Sequence, residues 1–171
     1  EIMAQEPFHL VVELVKRLYE KGISVAIDTC GFAPWEKFEA ILPWVDVFLY
    51  DIKAMDPEKH KRLIGAENGL ILENLRKLSE HGAKIYLRLP LIEGLNTEDE
   101  DILPIAQLLQ QGIRAERVYL LPYHNTGKSK YARLGRLYDI NSIFKVPSPQ
   151  RLEEIAGLFR RNGFPNVRIG G

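Results

Sequence analysis

Short apolar runs alternate with longer segments of helical periodicity, and this alternation constrains the fold more than any other feature of the sequence. Four runs predict buried strands, namely ISVAID, VDVFLYDIK, KIYLRLPLI and RVYLLPYH, and NVRIGG predicts a short final strand. Most of the helical segments between them end on glycine, a common helix stop. Strands separated by helices form βα units with right-handed crossovers. We therefore predict an α/β fold with a parallel sheet, either barrel-like or doubly wound.

Local signals mark several boundaries in this pattern. Ser148 followed by Pro149 predicts the start of the last helix. Thr97 and Glu100 have the spacing of a capping box, so Thr97 is the predicted cap of the helix after the third long strand. Residues 125–147 have little periodicity and a basic character. We predict a long loop there, of the kind that often closes over an active site.

Polar residues stand at the predicted carboxyl ends of four successive strands. They are Asp28, Thr29, Asp51, Lys53, Arg88, Tyr123 and His124. In a barrel-like α/β fold these ends share one face, where ligands and chemistry are usually found. We therefore expect Asp28, Asp51, Lys53, Arg88 and His124 to line one cleft.

Each of these residues also has an ordinary structural explanation. Asp28 is a common residue type for a turn or a helix cap, and Asp51 with Lys53 is compatible with a surface ion pair of little energetic value. Arg88 lies between apolar neighbours and is equally compatible with a structural salt bridge, because its unpaired burial would be costly. A single His124 suits a loop or core position. Their recurrence at four successive strand ends favours a site.

Composition narrows the possible partners and location. Lysine plus arginine and aspartate plus glutamate both number 23, so no general attraction to nucleic acid or to acidic membranes is expected. No apolar run reaches about 18 residues and no signal-peptide pattern opens the chain, so we expect no membrane span and a cytoplasmic location. The first residue is Glu1 rather than methionine, which suggests a fragment or a processed chain. The one cysteine, Cys30, excludes an internal disulfide and a metal site built on several thiolates of this chain.

Four motifs occur in an order that resembles a known family. AIDTCGF, LYDIK, RLPLIEGLN and LLPYHNTGKSKYARLG resemble motifs of radical S-adenosylmethionine (SAM) enzymes, and more narrowly of glycyl-radical-enzyme activating enzymes of the pyruvate formate-lyase activating enzyme type. The opening EIMAQEPF resembles the continuation of the family's Gly-Gly-Glu-Pro motif, with Glu1 as its last acidic residue. The resemblance runs from about residue 23 to the end of the chain.

The resemblance implies a fold, cofactors and partners. The fold would be a partial parallel (β/α) barrel similar to a TIM barrel, in which residues 1–171 form roughly the last four βα units of a six-unit domain. The N-terminal, cluster-binding part would be absent. The intact enzyme would use S-adenosylmethionine and a [4Fe–4S] cluster, receive electrons from flavodoxin or ferredoxin, and generate a 5′-deoxyadenosyl radical. That radical would remove hydrogen from a glycine of a glycyl radical enzyme.

The resemblance also implies roles for individual residues. Asp28 would contact the methionyl amino group, and Lys53, paired with Asp51, would lie near the methionyl carboxylate. His124 would be a second carboxylate contact and Arg88 the arginine of the site. The implied cofactor-binding residues are Glu1, Asp28, Thr29, Asp51, Lys53, Arg88 and His124. Three of these residues would also form a monovalent-cation site, namely Asp28, Thr29 and Asp51.

The sequence departs from this family at the cluster. The family's triad of cysteines is absent, and Cys30 alone cannot hold a [4Fe–4S] cluster. We therefore expect this chain by itself to be inactive. Three alternatives stay open: another radical SAM enzyme such as an anaerobic ribonucleotide reductase activator, a non-catalytic α/β module that binds a ligand or partner, and, less favoured, an aldolase-like barrel with Lys53 as a Schiff-base lysine. Asp51 counts against the last, because a neighbouring carboxylate favours the charged amine.

Overall fold

The strands form one parallel sheet whose order follows the chain. The computed structural model describes residues 2–124 and 144–170. In this part of the chain the strands are β1 (Ala26–Thr29), β2 (Val47–Asp51), β3 (Ile85–Leu91), β4 (Arg117–Pro122) and β5 (Val167–Ile169). Each strand pairs in parallel with the next, from β1 at one edge to β5 at the other. All five correspond to strands predicted from the sequence.

Helices connect the strands in the alternating pattern that the periodicity predicts. The α-helices of the described residues are α1 (Phe8–Glu20), α2 (Trp35–Ile41), α3 (Pro57–Ile64), α4 (Gly69–Glu80), α5 (Asp99–Gln110) and α6 (Pro149–Arg161). Short 3₁₀ helices lie at Ile2–Ala4 and Leu42–Trp44. None of the helices in the described ranges is long and apolar enough to span a membrane.

The sequential strand order distinguishes between the two predicted architectures. In a doubly wound sheet the strand order reverses at a switch point, where helices change to the other face. Here no reversal occurs, so crossovers of one hand place the helices on one face. The sheet is therefore an arc of a (β/α) barrel, in agreement with the predicted fold class.

The two faces of the sheet differ in burial. Under the helices, alternate strand residues such as Phe48, Tyr50 and Leu87 are at most 1% exposed and form the core. Residues between them, including Asp51 and Arg88, point to the other face and are only partly buried. That second face corresponds to the inside of the barrel, so the fold leaves its polar residues open to a ligand.

The predicted helix boundaries had different outcomes. Ser148 caps α6 as predicted, because its hydroxyl accepts a hydrogen bond from the Arg151 backbone N–H at 3.1 Å. The capping-box prediction was wrong: the N-cap of α5 is Glu98, and no side chain caps that helix. Thr97 is instead 1% exposed, and its carbonyl accepts two hydrogen bonds from the Arg151 guanidinium at 2.7 and 2.9 Å. Most of the predicted loop, residues 125–143, lies outside the described residues.

Candidate functional site

Four of the predicted residues form one charged cluster on the open face of the sheet. Arg88 Nε donates to Asp51 Oδ1 at 2.8 Å, and Arg88 Nη2 donates to the carboxylate of Asp28. Lys53 Nζ lies 3.4 Å from Asp51 Oδ2. Strand pairing sets this geometry, because Arg88 lies directly opposite Asp51 on the neighbouring strand. The structure thus brings Asp28, Asp51, Lys53 and Arg88 together, as the sequence predicted.

Arg88 is the centre of this cluster and stays charged there. Burial by itself would lower the pKa of its guanidinium, but the hydrogen bonds to Asp28 and Asp51 outweigh burial and raise the pKa above its ordinary value. The cluster contains two carboxylates and two cations, so its formal charge is zero. The arginine therefore holds both carboxylates on the open face, and the cluster as a whole carries no net charge.

The position of Arg88 along its strand differs from the prediction. The sequence placed it at a strand end, but β3 continues for three residues to Leu91. Strand β2 ends at Asp51, whereas β3 continues for three residues beyond Arg88, the residue that pairs with Asp51. Arg88 is consequently level with the end of β2 and reaches the carboxylates from the middle of its own strand.

Thr29 points away from the cluster. Its side chain lies on the helix-covered face, where it is 1% exposed and accepts a hydrogen bond from the Gly31 backbone N–H at 3.0 Å. Within the described residues no group of three or more histidine, cysteine, aspartate or glutamate side chains is arranged to hold a metal ion. The monovalent-cation site stays a prediction.

His124 stands apart from the four clustered residues. His124 is exposed and follows β4 by two residues, and the preceding Tyr123 N–H donates to the Leu91 carbonyl at 2.9 Å. This places His124 at the same edge of the sheet as the cluster. No hydrogen bond or ion pair joins it to the cluster in residues 2–124 and 144–170. Glu1 lies outside the described residues. The roles of both stay predictions.

An open cavity of about 550 Å³ adjoins the cluster at the β1 edge of the sheet. Its lining includes Ile2, Ala26, Asp28, Cys30, Asp51 and Lys53. The Asp28 side chain is 65% exposed and the Lys53 side chain 31% exposed, so both can contact a ligand there. The ion pair of Lys53 with Asp51 counts against the aldolase-like alternative, which needs an uncharged amine.

Sequence reasoning missed two buried asparagines that hold the loops behind Lys53. Asn96 Nδ2 donates to the carbonyls of Lys53 and Pro90 at 2.9 and 2.8 Å, and its Oδ1 accepts from the Ile92 N–H at 2.8 Å. Asn68 Nδ2 donates to the next two carbonyls after Lys53, those of residues 54 and 55, at 3.0 and 2.7 Å. Asparagines in loops were the available signal, but the carbonyls of residues 53–55 that they bind lie 13 to 43 positions away in the sequence.

A third buried asparagine holds the loop after β1. Asn74 is fully buried in α4, and its Nδ2 donates to the carbonyls of Gly31 and Ala33, each at 2.8 Å. This loop also carries Cys30, which lines the cavity. Gly31 has a φ of +78°, and Tyr50 packs so closely that no side chain fits at that position. The loop on this side of the cavity is thus fixed from within the fold.

Comparison with known proteins relates this geometry to families. The model of the radical SAM superfamily matches residues 2–106. The chain is 42% identical over 173 residues to the trans-4-hydroxy-L-proline dehydratase activating enzyme of Clostridioides difficile, covering 100% of this chain and 56% of that protein. It is 36% identical to the choline trimethylamine-lyase activating enzyme of Oleidesulfovibrio alaskensis, covering 90% of this chain and 50% of that protein. The chain thus spans about half the length of these curated relatives.

Solved structures agree with the barrel arc. A domain of pyruvate-formate lyase-activating enzyme from Bacteroides vulgatus superposes with a TM-score of 0.81 at 28% identity, covering 98% of this chain and 96% of that one. Streptococcus suis SuiB superposes with a TM-score of 0.73 at 13% identity, covering 100% of this chain and 37% of that one. The second likeness concerns the fold alone.

Proposed function

Because this chain belongs to the radical SAM superfamily, we propose that it is part of an enzyme that activates a glycyl radical enzyme. The two curated relatives described above are activating enzymes for two different enzymes. The chain covers only about half of each, so the activity of the whole protein belongs to the proposal. The protein substrate would be a glycyl radical enzyme, with flavodoxin or ferredoxin as electron donor and the cytoplasm as location.

The charged cluster of Asp28, Asp51, Lys53 and Arg88 is the observation that carries this proposal. S-adenosylmethionine presents an ammonium, a carboxylate and a sulfonium, and would supply a 5′-deoxyadenosyl radical when reductively cleaved. An ammonium needs a carboxylate partner and a carboxylate needs a cation. The cluster offers both on one open face, beside a cavity of about 550 Å³. That volume lies within the range of small-molecule sites.

The individual side chains retain the capacity to bind such a ligand. A carboxylate has about four acceptor positions, and one oxygen of Asp28 is the recorded partner of Arg88. Asp28 can therefore also accept from the methionyl ammonium. The Lys53 ammonium has three donors and one recorded partner, Asp51, so it can also donate to the methionyl carboxylate. Arg88 holds the two carboxylates in place and takes no direct part in this scheme.

The chain does not by itself fit the iron–sulfur cluster. A [4Fe–4S] cluster is held by several cysteine thiolates, and this chain contains one cysteine, Cys30. We propose that residues 1–171 form the C-terminal part of a single radical SAM barrel domain and that they are inactive alone. Reconstitution of this chain with iron and sulfide should give no stable cluster absorption.

Titration of the 171-residue chain with S-adenosylmethionine, followed by NMR, tests the proposed site. Exposed charge pairs contribute at most about 1 kcal/mol each. Immobilising a flexible ligand costs at least about 4 kcal/mol. The charge pairs alone therefore do not offset this cost, and we expect dissociation constants in the millimolar range or weaker, with chemical shift changes concentrated at Asp28, Asp51 and Lys53.

Two lysine variants separate the site from general charge effects. Lys53→Ala should weaken binding about fivefold, the equivalent of about 1 kcal/mol. Lys84 serves as the matched control, because it directly precedes β3 at the amino ends of the strands, opposite the cluster, and pairs with Glu116 at 3.4 Å. Lys84→Ala should leave the affinity unchanged. Equal loss in both variants, or shift changes far from the cluster, would contradict the proposed site.

A further inference from the structure

The backbone that carries Lys53 leaves the sheet directly after β2. The last backbone hydrogen bond to the neighbouring strand there runs from the Ile52 N–H to the Arg88 carbonyl, at 3.0 Å. Beyond that point the carbonyls of residues 53, 54 and 55 are held by side-chain amides, those of Asn96 and Asn68. These three consecutive carbonyls thus accept hydrogen bonds from side chains and not from the backbone of a strand or helix.

Asn96 links this segment to the end of β3. The residue is 8% exposed, and both protons of its amide group and one lone pair of its oxygen have recorded partners. Its two acceptors are the carbonyl of Lys53, in the segment that leaves β2, and the carbonyl of Pro90, the next-to-last residue of β3. The amide therefore fixes the distance between the ends of two adjacent strands.

We propose that Asn96 is a positioning residue that sets where the Lys53 ammonium lies, with Asn68 holding the two carbonyls that follow. The proposal rests on the function proposed for Lys53. The lysine side chain is long and flexible, so its reach depends on a fixed Cα position. A preorganised backbone lowers the ordering cost when a ligand binds. Substitution of Asn96 should then act on ligand affinity through Lys53 and not independently of it.

The first test measures the hold of Asn96 on the backbone without any ligand. The Ile92 amide donates to Asn96 Oδ1, so its hydrogen exchange reports this contact directly. Asn96→Ala should speed Ile92 exchange at least tenfold and shift the NMR signals of the Lys53 and Ala54 amides. Asn96→Asp keeps an acceptor for Ile92 but loses the donor for Lys53, so Ile92 protection should persist while the Lys53 signals move.

The second test is a double-mutant cycle on S-adenosylmethionine affinity. Asn96→Ala should weaken binding by up to the fivefold loss expected for Lys53→Ala. In a Lys53→Ala background the same substitution should change affinity less than twofold. A full, independent loss in that background would show a merely structural role and would overturn the proposal.

A matched control lies at the opposite edge of the sheet. The Asn166 side-chain amide also donates to a backbone carbonyl, that of Glu116, but far from Lys53. Asn166→Ala should leave the Lys53 signals and the affinity unchanged. Unchanged Ile92 exchange and Lys53 signals in Asn96→Ala would overturn the proposal. Shift changes away from Asp28, Asp51 and Lys53 when the unsubstituted chain is titrated with S-adenosylmethionine would instead reject the proposed function of the site, while the exchange data would still decide whether Asn96 positions Lys53.

Discussion

Substitution of Gly31 by alanine should destabilise this protein severely. Gly31 has a φ of +78°, a left-handed conformation that residues with a Cβ adopt only with strain. An added Cβ would lie 1.7 Å from Tyr50 Oη and 2.3 Å from Tyr50 Cζ. Tyr50 is fully buried, and its hydroxyl donates to the Ile71 carbonyl at 2.6 Å. The ring therefore cannot move aside without breaking this bond and disturbing the core.

Three contributions set the size of the expected effect. The left-handed conformation costs about 1–2 kcal/mol for a residue with a Cβ. Overpacking of a filled core costs about 1–3 kcal/mol. Loss of the buried hydrogen bond of Tyr50 costs about 1–3 kcal/mol. Together they predict a loss of about 3–8 kcal/mol, which is a large part of the 5–15 kcal/mol that typically stabilises a folded domain.

Gly65→Ala provides the matched control for this prediction. Gly65 has a φ of +90°, but an added Cβ would meet nothing within 4 Å, so only the conformational cost applies. Urea unfolding of both variants should give a loss of about 1–2 kcal/mol for Gly65→Ala and at least about 2 kcal/mol more for Gly31→Ala. Tyr50→Phe should not rescue Gly31→Ala, because the contact with Cζ persists. Equal losses at the two glycines would refute the reasoning.

Three further predictions follow from charged groups. Lys59→Met should lower the free energy of unfolding, measured in urea, by about 3–5 kcal/mol, because the Asp101 side chain, only 10% exposed, loses its ion-pair partner. The additional substitution Asp101→Leu should recover most of this loss, because it removes the unpaired carboxylate. Arg88→Met should lower the free energy of unfolding by about 2–3 kcal/mol at pH 7, because the half-buried carboxylate of Asp51 loses a charged hydrogen bond. A loss below about 0.5 kcal/mol, the size expected for a typical surface substitution, would contradict the role of Arg88 in holding the cluster. The hydrogen bond from Arg151 lowers the pKa of Glu154 in the folded protein. The Glu154 carboxylate therefore stabilises the fold at pH values above its pKa in the unfolded chain, about 4.3, and this stabilisation is lost as the pH falls through the lower pKa of the folded state. The stability difference between the wild type and Glu154→Gln should therefore shrink from pH 5 to pH 3.

The sequence by itself determined the elements and their parallel arrangement. Apolar periodicity, glycine stops and the Ser148 cap are local signals, because each depends on residues a few positions apart. They predicted all five strands and the α/β fold that the structure has. The sequence also placed Asp28, Asp51 and Lys53 at one edge of the sheet, since the carboxyl ends of parallel strands always share an edge.

Only the tertiary structure decided how these residues meet. Arg88 bonds to residues 37 and 60 positions earlier in the chain, and strand register brings it level with the end of β2. Asn96 acts on the Lys53 carbonyl across 43 positions. No local pattern encodes such contacts, since they arise when separate βα units pack together.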